Sequence, residues 1–510
     1  MSGYSNLRKK KTKMTDKLLP IDSELRTINN SNYKFYEKLD VMWVLSHHLK
    51  IANTPMWVGF NSKIVVDESM KQKVSYLTPI NASPTNISVV YETMRQSQRI
   101  AEELQQQYIE VTYDLAIAKV AYQIQSAEHP QLSNLFIHLG AFHIMMAYFK
   151  AVGKFINECG LTYIMVESGL LASGSVNGFI SGKHFNRCKR LHPLVSLGLQ
   201  VLLFEDFVTK QNISIEVSVT SKITNATLEK LLEDFLDYKK KALNGDFGKT
   251  PQYYVNYINF VDYYLMFTRS IRIGDFALFK EVIPKMANLF FMFNQGNYSR
   301  WLLKYHDNLL KVEETHPDLG IQFKNGYFGV KRTNKKFSRS PVDLTLEQTV
   351  NADAARRLTG VTHFTNSINA RQRWSKSHSI RSTLISYTYE EIGLKKAQDI
   401  TGDVEKHQIK KDSVQLQNFI KLLKQNFNTF NSESIESNFL YNIATGRAAS
   451  EEVTNFLLKA EQNGNALREK FISECVESGD RFEATIKQNK ILNFANSTAK
   501  KKIQINNKVQ

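Results

Sequence analysis

Cysteine is scarce in this 510-residue chain: only Cys159, Cys188 and Cys475 occur, an odd number with no CxxC spacing. That excludes a disulfide framework and a thiolate zinc site and suits a reducing compartment. No apolar run reaches the roughly 18 residues that a bilayer-spanning helix needs. The N-terminus is basic and polar with no apolar stretch behind it, which is not the layout of a secretion signal. An intracellular, soluble protein with no membrane partner is therefore expected. Acidic residues are also short, 49 against 66 Lys and Arg, giving a formal charge of +17. A balance this basic favours an anionic partner, and nucleic acid is the commonest. There is no internal repeat and no GxxxxGK loop, so triphosphate cradling is excluded.

What is present is ample core material, with 42% hydrophobic and 11% aromatic residues over a length that suits two to four domains. Residues 1–20 read as a basic flexible arm with RKKKTK at 8–13, a pattern that suits nuclear import. Residues 21–90 are broken by turn-rich stretches such as TPINASPTN. An α/β core is expected over 91–360. An amphipathic helix over 91–107 leads into strand YIEVTYD (108–114), helix LAIAKVAYQIQ, strand LFIHLGAFH (135–143) and a further helix. This β-α-β-α order predicts two parallel neighbouring strands. Apolar spacing predicts helices at 193–209, 227–243, 251–270, 276–293 and 298–313, most of them in a helical insertion over about 215–315. Asn325-Gly326 between apolar-aromatic runs reads as a hairpin turn. A basic segment (361–395) and a helical C-terminal region with a disordered tail (396–510) complete the layout.

Three constellations carry candidate chemistry. Asp114 ends the first predicted strand, where α/β sites collect, or else caps the following helix. His143 lies at a strand-to-helix junction. In SPVDLTLEQTVNADAARRLTG (340–360), a helix opened by Pro341 would stack Asp343, Glu347 and Asn351 on one face, with Glu347 pointing inward toward Asp114. Such carboxylates suit acid/base work, a divalent cation or simply helix stabilisation. The second constellation, GSVNGFISGKHFNRCKRLH (174–192), offers Lys183, Arg187 and Arg190 for phosphate. The third, TNSINARQRWSKSHSIRS (365–382), interleaves Arg371, Arg373, Lys376 and Arg381 with Trp374 and suits a nucleic-acid backbone.

The segments NTPMWVGFNSK, SPTNISVVYETMR, VTYDLAIAKVAYQIQ, HLGAFHIMMAYFKAVGKFI, NYSRWL, THPDLGIQF and VDLTLEQTVNADAARRLTG together resemble a group of uncharacterised, transposon-derived proteins of invertebrate genomes. More loosely, the chain is similar to RNase H-like transposases. That resemblance implies an RNase H-like core in which Asp114 is the first acid and Glu347 the third, both ligands of magnesium or manganese for phosphodiester cleavage, with His143 or Asp343 as substitute catalytic groups. Ala141 stands where the looser relatives place their second acid. The function expected is that of a nuclear, nucleic-acid-binding protein with DNA as its partner, and a degenerate transposase at most. The alternative is a catalytically inactive protein-interaction scaffold.

Overall fold

The computed structural model describes residues 31–66, 69–213 apart from 73, 75, 76, 78, 79 and 81, then 225–348, selected positions from 361 to 392, and 402–430, 438–477 and 488–496. The first elements are α1 (Ser31–His48), α2 (Trp57–Ile64) and α3 (Ile87–Glu103), followed by β1 (Ile109–Tyr113), α4 (Leu115–Ala127), β2 (Leu135–Leu139) and α5 (Ala141–Ile156). Strands β1 and β2 pair in parallel with Ile109 opposite Leu135 and Tyr113 opposite Leu139. This part of the β-α-β-α expectation is met, and β2 is buried along its whole length.

The remainder is helical: α6 (Leu161–Glu167), α7 (Val176–Ile180), α8 (Phe185–Lys210), α9 (Asn225–Asn244), α10 (Lys249–Ile273), α11 (Phe276–Met292) and α12 (Gly296–Leu310). Short helices α13 (Val312–Thr315), α14 (Pro317–Lys324), α15 (Val342–Leu346) and α16 (Ile368–Lys376) come next, then α17 (Lys406–Asn426), α18 (Glu451–Leu458) and α19 (Ala460–Phe471). Helix α11 packs against α10, α12 and α19, and α8 packs against α1, α10 and α17. One continuous core runs from Tyr33 to Phe494.

These observations overturn the RNase H-like α/β expectation. Among the described residues the sheet has two strands. The chain after β1 enters α4 directly, with the Asp114 carboxylate accepting the Ile117 N–H at 2.9 Å. A capped helix start closes the route to a hairpin strand. Helices α8 and α10 are apolar around most of their circumference and form the core themselves instead of covering a wider sheet.

Three local expectations also change. Residues 321–331 are not a hairpin. Pro317 occupies the first turn of α14, and Asn325-Gly326 ends that helix, Gly326 taking φ +83°. Asn-Gly serves a helix terminus as readily as a hairpin because both need a left-handed residue. Helix α8 is long and apolar enough to cross a bilayer by length and composition, yet 83% of that window is buried inside the molecule. The helix opened by Pro341 does begin at Val342, but α15 ends at Leu346, and Asn351 lies outside the described residues.

The N-terminal helices are fastened to the body by an ion pair. Arg269 of α10 is 1% exposed and donates to both carboxylate oxygens of Asp40 at 2.8 and 2.6 Å and to Asn61 at 3.0 Å. The Trp57 indole N–H donates to the same carboxylate at 2.7 Å, and the guanidinium lies over the Trp57 ring. The WVGFNSK stretch thus supplies partners for a buried cation, which would otherwise be strongly destabilising.

Candidate functional site

The carboxyl ends of β1 and β2 are joined where the Gly140 N–H donates to the Tyr113 carbonyl at 2.8 Å. Immediately beyond, α5 begins, and its first N–H groups have no partner within the helix. The carboxylate that satisfies them comes from 200 residues away. Asp343 of α15 accepts from the Phe142 N–H at 3.2 Å, the His143 N–H at 3.2 Å and the His143 imidazole Nδ1 at 2.9 Å. Gly140 makes room for it, since a Cβ there would stand 2.2 Å from Asp343 Oδ2. The helix dipole and three donors stabilise the anion, and the anion fixes the imidazole.

Of the two stacked acids it is therefore Asp343, with its side chain 8% exposed, that points inward. The expectation gave that place to Glu347, which is only half-buried. Thr345 takes the buried position on α15 while Leu346 is 49% exposed. Glu347 and Gln348 continue α15 as a π-helical turn, and the rest of the stripe lies outside the described residues.

His143, Asp114, Asp343 and Glu347 do come together electrostatically. Burial works to lower the His143 pKa. The Asp343 hydrogen bond and charge, with the charges of Asp114 and Glu347, outweigh it and leave the imidazole above its usual 6.5. Tyr298 of α12 belongs to the same surroundings: burial first, then the charges of Asp114 and Asp343, hold its hydroxyl protonated. The donors do not fit a two-metal centre. Asp114 is engaged as a helix cap and Asp343 as a triple acceptor. Among the described residues no group of three or more His, Cys, Asp or Glu is placed to hold a metal ion. Among the described residues, magnesium or manganese coordination by Asp114 and Glu347 thus lacks a ligand set. What the arrangement can do is favour the protonated imidazole at a half-open edge, its side chain 29% exposed.

Beneath lies a second polar chain that sequence reasoning missed. His138 on β2 is 2% exposed, 3.5 Å from Glu110 on β1 and 3.0 Å from the Tyr305 hydroxyl. Burial pushes Glu110 up to about 8 against a hydrogen bond from Thr112, and pushes His138 down to about 4 against the Asp343 charge. Both are neutral at pH 7. The available signal was Glu110 itself, a carboxylate in the middle of a β-branched strand with Thr112 on the same face.

A family model described as a domain of unknown function, DUF8702, matches residues 56–510. The chain belongs to that family. No curated protein and no solved structure matches it.

The basic candidates divide into exposed and engaged groups. Lys183 and Arg187 are exposed where α8 begins, and Arg187 also bonds Ser175 and His184. Lys189 lies over the Phe185 ring, which meets Phe142 edge-on at 4.7 Å. Exposed Lys150 of α5 is carried close by, since a Cβ on Gly182 would be 2.8 Å from the Lys150 backbone nitrogen. Arg190 is committed elsewhere, to Asp412 at 2.6 Å and to Gln415 of α17. Arg371 donates to the Thr365 carbonyl at 2.9 Å, and Arg381 donates to the Trp374 carbonyl and stacks on its ring at 4.1 Å. Arg373 is exposed, and His378 lies outside the described residues. The structure thus brings Lys183 and Arg187 beside the His143 edge and ties Arg190, Arg371 and Arg381 into the protein's own packing.

Proposed function

We propose that this is a transposon-derived, nucleic-acid-binding protein, with DNA as its expected partner, that grips the phosphate backbone at the start of α8. The observation that carries the reading is the exposed cation group Lys150, Lys183 and Arg187 beside Lys189 and the Phe142–Phe185 contact. A formal charge of +17 supports it, because long-range attraction raises encounter rates with polyanions. So does the resemblance of the motif set to transposon-derived sequences. Arg190, Arg371 and Arg381 are left out of the contact set because they are half-buried as well as bonded, whereas Arg187 stays exposed beside its bonds to Ser175 and His184.

The test is equilibrium binding of a fluorescent duplex at several salt concentrations. Each neutralised phosphate contributes about 0.9 to the slope of log affinity against log salt. Replacing Lys183 and Arg187 together by Glu is expected to reduce that slope by about two and weaken binding without loss of fold. Affinity and slope equal to those of wild type would sink the assignment. Nucleic-acid binding that is absent at any salt, with protein partners still captured after nuclease treatment, would favour the scaffold reading.

A further inference from the structure

Helix α17 carries five lysines and one acid, and its two sides are unlike. The helix packs on α6 and α8 and buries Ile409, Leu416, Phe419 and Leu423. Its acid, Asp412, is buried as well, where it takes Arg190 at 2.6 Å. At 3.6 residues per turn, Lys410, Lys411, Val414, Gln417, Asn418 and Lys421 share the opposite face. All six are exposed. Lys424 meets Glu205 at 2.6 Å and His407 meets Glu405 at 3.4 Å, but among the described residues Lys410, Lys411 and Lys421 have no acid partner. A helix face that is merely solvated usually interleaves acids with its lysines. This one turns its acid inward and keeps a single sign of charge outside.

The order of groups along the face says what covers it. Lysines stand at both ends, with two amides and one small apolar side chain between them, over roughly 17 Å of helix. The outer lysines suit the phosphates that rim a groove, Gln417 and Asn418 offer the two-pronged donor and acceptor that a base edge accepts, and Val414 offers a contact for a thymine methyl. The B-form major groove, about 12 Å wide, admits a helix. Helices α8 and α17 run side by side, since Arg190 meets Asp412, Gly198 adjoins Phe419 and Glu205 meets Lys424. The first turns of α17 therefore lie beside the start of α8. A lipid surface would need an apolar stripe to embed, and α17 leaves Val414, 52% exposed, as its one exposed large hydrophobic. We infer that the outward face of α17 enters the major groove of duplex DNA and reads its base edges, which rests on the nucleic-acid reading above and adds the element that confers sequence preference.

The test uses the full-length chain and fluorescent duplex DNA with a randomised central stretch, with circular dichroism to confirm folding of every variant. Wild type is expected to enrich a short sequence and to bind it about tenfold or more tightly than a scrambled duplex. Gln417→Ala with Asn418→Ala should abolish that preference and leave the salt dependence as in wild type. Lys410→Ala, Lys411→Ala and Lys421→Ala together should lower the slope of log affinity against log salt by about 2.7 and keep the preference. Duplex RNA of the selected sequence should bind more weakly, because its narrow major groove shuts out side chains. No enriched sequence, a preference that survives the amide change, a slope unmoved by the lysine change, equal affinity for duplex RNA, or a lysine change that releases the chain from phosphatidylserine vesicles but not from DNA would overturn the inference. If the slope responds to Lys183 and Arg187 and not to α17, this inference alone fails. If wild type binds no duplex at any salt, the nucleic-acid reading itself fails and takes this one with it.

Discussion

The helical body around α8, α10 and α11 and the carboxyl edge of the β1/β2 pair bury their side chains under different rules. In the body, buried phenols hand their hydrogens to backbone acceptors: the Tyr148 hydroxyl to the Phe260 carbonyl at 2.8 Å, Tyr253 to Phe155 at 2.8 Å and Tyr254 to Cys159 at 3.2 Å. Burial holds these phenols firmly protonated. At the sheet edge, two histidines and four carboxylates crowd into a region where protonation decides which contacts exist. Packing dominates the first region, and its phenols stay protonated across the neutral range. Charge organises the second, and pH reaches it.

The comparison breaks most visibly in the body. Phe260 is fully buried and meets Phe155 edge-on. Phe260→Ala is expected to cost about 3–5 kcal/mol, through lost transfer energy and a cavity. Urea denaturation at pH 5.5 and pH 9 should return the same loss; a loss that changes with pH would erase the distinction between the regions.

A smaller effect with the opposite pH signature is expected at the edge. Asp343→Ala leaves the Phe142 and His143 N–H groups without their acceptor, a cost of about 1–3 kcal/mol. His143 is raised above 6.5 in the folded protein, so its share of stability is complete below 6.5 and is lost as pH rises through the raised value. The gap between wild type and variant should therefore narrow from pH 5.5 to pH 9. A gap constant over that range would show that the imidazole contributes nothing.

The third expected change is a gain. Glu110 is raised from 4.5 to about 8, so its contribution is complete below pH 4.5 and falls away as pH rises to 8, where the folded protein must ionise a buried carboxyl. Glu110→Gln does not titrate. Its stability relative to wild type should therefore rise between pH 4.5 and pH 8.5, by at most about 4 kcal/mol for a shift of that size. Parallel melting curves across that range would remove Glu110 from the account of the edge.

The two regions also differ in how far they can be read from residues alone. Helices α8 to α12 follow their three- and four-residue apolar spacing closely because each buries an apolar surface against its neighbours, and burial imprints its period on the chain. The same spacing cannot say whether a short apolar-aromatic run becomes a strand, which is why 321–331 reads as a hairpin and folds as the end of α14. Asp114 reads correctly as a strand-end acid, and the structure selects the helix-cap alternative. His143 and Asp343 are both visible as candidates, but no local pattern announces that they bond each other.

By itself the sequence determined the parallel strand pair, the positions of the long helices and the excess of positive charge, all consequences of composition and of periods of one helix turn or two strand residues. Only the tertiary structure decided that the sheet stops at two strands among the described residues, that Asp343 and not Glu347 enters the core, and that Arg190 is spent on Asp412 while Lys183 faces solvent. The reason is the same in each case. A partner 200 residues away leaves no periodic trace, and a charged side chain is set free or tied by what the rest of the chain brings to meet it.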